Sequence, residues 1–240
     1  MDPSIKFSFE EGVPLLDSSS YRKLMYLHTT RPDIYYAVNT LCQFSHAPTN
    51  IHLNAAYKVL RYLKGTVRQG LFYPADNKFD LCGFSDSDWA ACKDTRRSVS
   101  GICMFTGDSL VSWRSKKQDT VSCSTAEAEF RAMALATKEM IWLARLLLEF
   151  RVPFQPPAYL YCDNTSALHI ANNFVFHERT KWIELDCYKT REAIECGFLK
   201  IMFVKTGNQL TDTLTKVLHL APFQDLISKM GMTNIFISPS

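Results

Sequence analysis

The spacing of apolar residues predicts a helical first third, followed by a stretch of alternating strands and helices. From about Tyr21 to Leu63 apolar residues recur three or four positions apart, as on one helical face, with a break at 47–50. After Gly70 short β-like runs follow, separated by turn residues, and the runs at 100–105 and 110–113 predict a hairpin. Ser122 to Phe150 then predicts the longest helix.

Beyond this helix the same pattern predicts a strand up to Asp163, a helix over 168–171, a helix over 180–196, a strand over 198–204 and a helix over 207–218. The order of elements indicates an α/β fold. We therefore expect an extended lead-in at 1–20, a helical segment at 21–76, an α/β domain at 77–220 and a loose tail at 221–240.

Aspartates follow two of the predicted strands at their carboxyl ends. In the stretch LCGFSDSDWA (81–90) an apolar run leads to Asp86 and Asp88, and the run at 158–162 leads to Asp163. Ligand sites of open α/β sheets form at this edge. Carboxylates brought together there repel each other, so a hard divalent cation between them is the expected partner.

Two further acids lie in predicted helices. Ser124 and Glu127 fit a capping box, which gives Glu127 a local structural role. Glu129 lies about 200° further around the helix and has no such role. Asp212 falls in the predicted helix over 207–218. Each acid alone is more commonly a surface carboxylate, and only their joint placement indicates a site.

The four acids Asp86, Glu129, Asp163 and Asp212 are the candidate catalytic and metal-binding residues, with Asp88 the competing choice in the first motif. Four carboxylates suit two Mg²⁺ ions, with Mn²⁺ as a substitute. Two such ions about 4 Å apart can stabilise the attacking water and the leaving oxygen of an in-line phosphodiester cleavage.

Composition limits the alternatives. The chain has 240 residues, 47% of them hydrophobic, enough for one large domain or one domain and a further piece. A net charge of +3 is too small to indicate a polyanionic partner by itself. Only local clusters of basic residues could indicate that the chain binds a nucleic acid. The eight cysteines form no C-x-x-C pair, which favours reduced thiols in an intracellular protein over zinc or disulfides. No apolar run reaches the length of a membrane span, and we expect a soluble protein.

Two local clusters could contact phosphates: Arg96, Arg97 and Ser98 in one, and Lys116 and Lys117 in the other. Taken alone, each is also explained as a solvated loop. Asn164, beside the third acid, could bond a nucleic acid or cap the helix after the strand.

Eight short sequence motifs, spread over most of the chain, resemble those of a known protein family. They are TRPDIYYAVN (30–39), AAYKVLRYLKGT (55–66), GFSDSDWAACKDTRRSVSG (83–101), VSWRSKKQ (111–118), STAEAEFRAMA (124–134), CDNTSALHIANN (162–173), VFHERTK (175–181) and NQLTDTLTK (208–216). In these words, and in their order, the chain resembles the C-terminal part of the Pol polyprotein of Ty1/copia-type LTR retrotransposons. It is similar to the end of the reverse transcriptase followed by the ribonuclease H domain.

The resemblance implies an RNase H-like fold, with a five-stranded mixed sheet flanked by helices. It places the family's metal-binding acids on Asp86, Glu129, Asp163 and Asp212. It further implies metal-dependent cleavage of the RNA strand of RNA–DNA hybrids, leaving a 3′-hydroxyl and a 5′-phosphate. The implied partners are the hybrid and the reverse transcriptase body and integrase of the same polyprotein, in cytoplasmic particles or the nucleus.

Some positions depart from the family pattern. The polymerase motif Y-x-D-D is absent, so no polymerase activity is expected. Trp182, Tyr188, Lys189 and Val217 stand where the family usually has other residues. The alternative is therefore a catalytically inactive remnant of the same fold that at most binds nucleic acid. A third alternative, an integrase-like nuclease, is disfavoured by four acids with a glutamate opening the long helix after the hairpin.

Overall fold

The computed structural model describes residues 7–9, 11–22, 29–173, 184–234 and 236. The word VFHERTK (175–181) and Trp182 lie outside the described residues, as does the beginning of the helix predicted over 180–196.

The described helices and strands follow the predicted order. The helices are α1 (Ser19–Arg22), α2 (Tyr35–Cys42), α3 (Asn50–Gly65), α4 (Thr125–Glu149), α5 (Thr165–Asn172), α6 (Glu184–Glu195), α7 (Asp212–Thr215) and α8 (Leu220–Lys229), with 3₁₀ turns at Pro32–Ile34 and Thr206–Asn208. The strands are β1 (Gln69–Leu71), β2 (Leu81–Asp88), β3 (Val99–Thr106), β4 (Ser109–Lys117), β5 (Ala158–Cys162), β6 (Leu199–Phe203) and β7 (Met232–Asn234).

A five-stranded mixed sheet in the order β4-β3-β2-β5-β6 forms the centre of the molecule. Strands β2, β3 and β4 are antiparallel neighbours, whereas β5 runs parallel to both β2 and β6. Helices cover both faces of this sheet, so the predicted α/β class and five-stranded mixed sheet are confirmed. The crossover through α4 places the carboxyl ends of β2 and β5 at one edge.

The long helix α4 covers one face of the sheet. Its residues Phe130, Met133 and Met140 are fully buried against Ile102 and Leu160 of the sheet. Burying side chains of this size stabilises the fold by roughly 1.5–3 kcal/mol each. This packing fixes the beginning of α4, and with it Glu129, relative to the strand ends.

The opposite face is covered by α7 and α8, and here the structure corrects a prediction. Residues 221–234 are not a loose tail, because α8 and β7 are formed within them. Leu226 and Met230 pack against Phe105 and Leu110 of the sheet, and β7 pairs with β1. The apolar spacing of α8 thus has a partner surface that the sequence alone did not reveal.

The first helical segment forms its own small core and also contacts the sheet. Ile34, Val38 and Leu41 pack against Ala56 and Val59 of α3. Two polar contacts join α2 to β4: Asn39 Nδ2 donates to Ser115 Oγ at 3.2 Å, and Lys117 Nζ donates to Gln43 Oε1 at 3.4 Å. The predicted division at residues 76 and 77 stays a prediction.

Two predicted boundaries differ from the structure near the acids. Strand β2 continues through Asp86 and Asp88 instead of ending before them, because both residues pair with β3. The helix predicted over 207–218 is instead a 3₁₀ turn followed by α7, a single turn that begins at Asp212. Within the described ranges, no helix has the length and apolar character that crossing a membrane requires.

Candidate active site

Strands β2 and β5 bring two of the predicted acids to the same sheet edge. Phe84 and Tyr161 are partners in the parallel pairing, and their rings stack with centroids 4.9 Å apart. Two residues further along the chain lie Asp86, still within β2, and Asp163, directly after the end of β5. Because the two strands run parallel and the two acids have the same offset from a paired residue, both carboxylates lie close together at the edge of the sheet.

A glycine makes room for the fourth acid. Gly101 of β3 is the partner of Asp86, and a Cβ built on it would lie 2.6 Å from Thr215 Cγ2. Helix α7 can therefore lie directly on the sheet at this position. Thr215 Oγ1 donates to Asp86 Oδ2, and Asp212, one turn earlier in α7, is buried beside them.

The second acid, Glu129, lies on the first turns of α4. The cap of this helix is formed by Ser124, whose Oγ accepts from Glu127 N–H at 3.1 Å. Glu127 in turn accepts from Cys123 N–H at 2.9 Å and forms an ion pair with Arg131 at 2.9 Å. Glu127 thus has the local structural role that the sequence predicts for it. Glu129, in contrast, is buried and faces the other acids.

Lys216 lies between two of the acids. Its Nζ is 2.9 Å from Asp212 Oδ1 and 3.5 Å from Asp86 Oδ1. The open cleft is lined by Asp86, Glu129, Asp163 and Lys216, together with Ser87, Asp88, Trp89, Thr125 and Asn164. Asp212 is connected to this cleft through Lys216.

Burial and mutual repulsion raise the pKa values of two acids. Burial, then Asp86 and Asp163, raise the pKa of Glu129 to about 9. Burial and Asp86 raise the pKa of Asp212 to about 7, although Lys216 opposes this shift. Burial disfavours the charge of Lys216, but Asp86 and Asp212 outweigh it and raise its pKa. Negative charge accumulates here beyond what one lysine compensates.

The donor chemistry fits a hard divalent cation. Ligand atoms of Glu129, Cys162 and Asp163 lie within 4.8 Å of one another. Burial, followed by Glu129, raises the pKa of Cys162, so its sulfur stays a neutral thiol and a poor ligand. The remaining donors are carboxylate oxygens, which Mg²⁺ prefers. Glu129 and Asp163 would hold one ion, and Asp86 would share it.

The buried amide of Gln118 connects the elements that carry the acids. Its Nε2 donates to Ala128 O and to Ser100 Oγ, both at 2.9 Å, and contacts Ser87 Oγ at 3.3 Å. Its Oε1 accepts from Ser122 Oγ at 2.8 Å. Because Ser87 adjoins Asp86 and Ala128 adjoins Glu129, Gln118 ties the end of β2 to the beginning of α4.

The first predicted basic cluster, Arg96, Arg97 and Ser98, lies on the loop after β2 and is only partly exposed. Arg96 and Arg97 are exposed on the loop after β2, where they can meet a ligand. Ser98 is fully buried, and its Oγ accepts from Ala90 N–H at 3.1 Å. It therefore fixes this loop, and a direct substrate contact by Ser98 does not fit the structure, because the turn of the loop encloses its side chain.

The second cluster lies at the end of β4. Lys116 is exposed and forms an ion pair of 3.3 Å with Asp119, which water screens. Lys117 Nζ contacts Cys92 Sγ at 2.8 Å and so joins β4 to the loop after β2.

Asn164 lines the cleft and caps a helix. Its Oδ1 accepts from Ala167 N–H at 2.9 Å, as expected of the N-cap of α5. The capping alternative is thus seen, and the residue still borders Asp163 in the cleft. Asp88, the competing acid, is half-buried in the same cleft.

Sequence reasoning did not single out Lys216, Thr215 or Gln118. A signal for Lys216 was present, since it follows Asp212 by four residues and so shares its helical face. Gln118 gave no comparable signal, because an isolated glutamine after a basic run is also expected on the surface.

Searches with the sequence reveal relatives over nearly the whole chain, although no protein-family profile matches it. It is 43% identical over 239 residues to the retrovirus-related Pol polyprotein from transposon RE1 of Arabidopsis thaliana, covering 98% of this chain and 16% of the relative. The corresponding polyprotein from transposon TNT 1-94 of Nicotiana tabacum is 36% identical over 216 residues, covering 90% of this chain and 16% of the relative. The chain thus spans about a sixth of the length of these relatives.

Solved structures similar to part of the chain include RNase H1 from Halobacterium salinarum, with 13% identity, 57% of this chain and 94% of that chain covered, and a TM-score of 0.42. LC11-RNase H1 in complex with an RNA/DNA hybrid has 10% identity, the same coverage and a TM-score of 0.40. The RNase H-like fold rests on the strand order and mixed direction of the sheet.

Proposed function

Because the chain belongs to the Pol polyproteins of Ty1/copia-type LTR retrotransposons, we propose that it is their ribonuclease H. It hydrolyses the RNA strand of RNA–DNA hybrids and requires Mg²⁺. The observation that carries this proposal is the convergence of Asp86, Glu129 and Asp163 in one open cleft, with Asp212 joined through Lys216.

Two bound cations would supply stabilisation of charge on the attacking water and the leaving oxygen. The residues of the chain prepare the site for this. Asp86 and Asp163 present oxygens from rigid strand ends, and Gln118 holds the beginning of α4 so that Glu129 faces them. Lys216 limits the repulsion between Asp86 and Asp212 until substrate and metal arrive.

Hybrid recognition is expected to depend on the duplex backbone. Arg96 and Arg97 are exposed on the loop after β2 and can contact phosphates. The shape of the hybrid and its 2′-hydroxyls distinguish it from DNA, since side chains cannot read the narrow major groove of an A-like duplex.

The test is cleavage of an end-labelled RNA–DNA hybrid by the purified chain, with Mg²⁺ and with EDTA. Asp163→Asn should lose at least a hundredfold in rate, because an amide replaces a metal-binding carboxylate. Asp225→Asn, at an exposed position of α8, is the matched control and should cleave like the unmodified chain.

Products with a 3′-hydroxyl and a 5′-phosphate, formed only with Mg²⁺, would support the proposal. A folded chain that binds hybrid but never cuts it would instead favour the inactive remnant. Full activity of Asp163→Asn would refute the role assigned to the acids.

A further inference from the structure

Helix α3 lies outside the sheet and carries positive charge without any negative charge near it in sequence. Residues 34–75 contain no aspartate or glutamate, and their four lysines and arginines all fall within 58–68. Three of them, Lys58, Arg61 and Lys64, lie on α3 and are exposed. We call these three residues the basic face of α3.

The basic face of α3 is opposite the buried side of the same helix. At 3.6 residues per turn, its three residues fall within an arc of about 120° and extend over about 9 Å of the helix. His52, Ala55, Ala56 and Val59 are buried on the other side. The helix is therefore held by its apolar side, and the three cations point away from the core.

Lys64 lies in the last turn of α3, where a cation is favourable to the helix dipole, but Lys58 and Arg61 lie earlier in the helix. Among the described residues, no ion pair involves Lys58, Arg61 or Lys64, whereas Lys138, Lys189 and Lys229 each have a carboxylate partner. Like charges three residues apart on a helix repel each other. An uncompensated row of cations is instead the electrostatic pattern expected where a polyanion binds.

One residue of the basic face of α3, Lys58, lines a groove that extends to Lys216 at the acid cleft. A groove separates α3 from the segment after α7, with Lys58, Val59 and Tyr62 on one wall and Lys216 and Val217 on the other. Lys216 also lines the cleft that contains Asp86, Glu129 and Asp163. Lys216 and Lys58 therefore line one groove beside the cleft, along which a ligand at the acids could extend.

The position of α3 relative to the cleft is fixed by packing. The rings of Tyr62 and Phe223 lie 6.2 Å apart across the groove, and Asn39 of α2 bonds to Ser115 of β4. Tyr62 Oη also donates to the buried carboxylate of Asp33 at 2.8 Å. The two surfaces can thus act as one platform.

We propose that the basic face of α3 contacts the phosphate backbone of the duplex whose scissile phosphate lies at the acid cleft. The proposal rests on the proposed function and assigns a part of the substrate interface to a helix outside the RNase H-like sheet. The occupant is the RNA–DNA hybrid, and the complementarity is that of three exposed cations with the phosphates of the duplex.

The experiment measures hybrid affinity by fluorescence anisotropy in Mg²⁺, with Asp163→Asn as the uncleaving parent. The variant adds Lys58→Gln, Arg61→Gln and Lys64→Gln. Each lost phosphate contact reduces the slope of log affinity against log salt by about 0.9. We expect the slope to fall by about two to three and the Kd at 150 mM salt to rise on the order of tenfold or more.

The control removes the same net charge elsewhere, with Arg145→Gln, Lys189→Gln and Lys200→Gln in the same parent. Arg145 and Lys200 are exposed, Arg145 in the second half of α4 and Lys200 at the beginning of β6, away from the acid edge. This control should keep the slope and the Kd of the parent within twofold. In the chain with an intact site, the α3 variant should raise KM while kcat stays the same.

An α3 variant that matches the control in slope and Kd would overturn the inference and leave the proposed function intact, provided that the unmodified chain cleaves hybrid. Absence of both hybrid binding and cleavage in the unmodified chain would overturn both. If the triple variant is unfolded by circular dichroism, the three single variants are measured, and each should lose about 0.9 of the slope.

Discussion

At the scale of single residues, two neighbouring glutamates on α4 have opposite roles. Glu127 is bonded to Cys123 N–H and paired with Arg131, so its charge is satisfied locally. Glu129 is buried among other acids, which makes its charge unfavourable in the absence of a cation.

We therefore expect Glu127→Ala to lower the free energy of unfolding by about 1 kcal/mol and to retain cleavage, because it removes a helix cap. Glu129→Gln should abolish cleavage without destabilising the metal-free protein. Urea unfolding in EDTA and a hybrid cleavage assay measure the two effects. Loss of cleavage in Glu127→Ala together with activity in Glu129→Gln would reverse the assignment.

The raised pKa of Glu129 predicts how stability depends on pH. A carboxyl whose pKa is higher in the folded than in the unfolded protein takes up a proton on folding between the two values. For Glu129 this window extends from the ordinary value of 4.5 to about 9. Its contribution to stability is complete below that window and is lost as the pH rises through it.

In EDTA we expect the Tm to fall by more than about 5 °C between pH 5.5 and pH 8.5. Glu129→Gln should flatten this fall, because the titrating group is absent. Mg²⁺ at pH 8.5 should raise the Tm of the unmodified chain, since an ion that binds only the folded state stabilises it. If the Tm of Glu129→Gln depended on pH in the same way as the Tm of the unmodified chain, the titration of buried Glu129 would not be the cause of the fall.

At the scale of elements, the spacing between the end of β2 and the beginning of α4 depends on a buried side chain. Gln118 bonds to Ala128 O of α4 and to Ser100 Oγ of β3, and it accepts from Ser122 Oγ. The backbone N–H of Ser87 also bonds to the Glu129 carboxylate, so Gln118 acts beside a direct bond between β2 and α4.

Gln118→Ala should reduce cleavage on the order of ten- to a hundredfold, because it lets the two carboxylates move relative to each other. It should also raise the Mg²⁺ concentration that gives half-maximal rate, an effect that a general loss of stability below the Tm would not produce. Ser122→Ala removes only one of the bonds and serves as the milder control. An unchanged Mg²⁺ requirement in Gln118→Ala would show that the site is positioned by backbone packing alone.

At the scale of the whole molecule, the segment after α7 completes the core of the sheet. Leu226 of α8 and Met230, which follows this helix, are buried against the face that also receives α7. Strand β7 pairs with β1, which precedes the five-stranded sheet in the chain. The acid site thus depends on residues that follow it in the chain.

A fragment ending at residue 218 should consequently have a free energy of unfolding at least about 2 kcal/mol lower than that of the full chain, because it lacks the buried side chains of Leu226, Ile227, Met230 and Met232. Urea unfolding followed by tryptophan fluorescence measures this, and Leu220→Ala, at an exposed position of α8, is a control that should have little effect. Equal stability of fragment and full chain would restore the prediction of a loose tail.

The local patterns of the sequence determined the order of elements, the cap of α4 and the separation of Glu127 from Glu129. These depend on residues within a few positions of each other, whose spacing is visible in one dimension. The words around Asp86, Glu129, Asp163 and Asp212 also gave a family resemblance that the relatives bear out.

The tertiary structure alone decided what surrounds those acids. Gly101 allows α7 to approach β3, which brings Lys216 between Asp86 and Asp212. The burial of Ser98, the bonds of Gln118 and the docking of α8 likewise join residues far apart in the chain. Sequence patterns show which face of a helix or strand is apolar. Which element packs against that face, and which charged side chains meet in one pocket, is decided by packing between elements far apart in the chain.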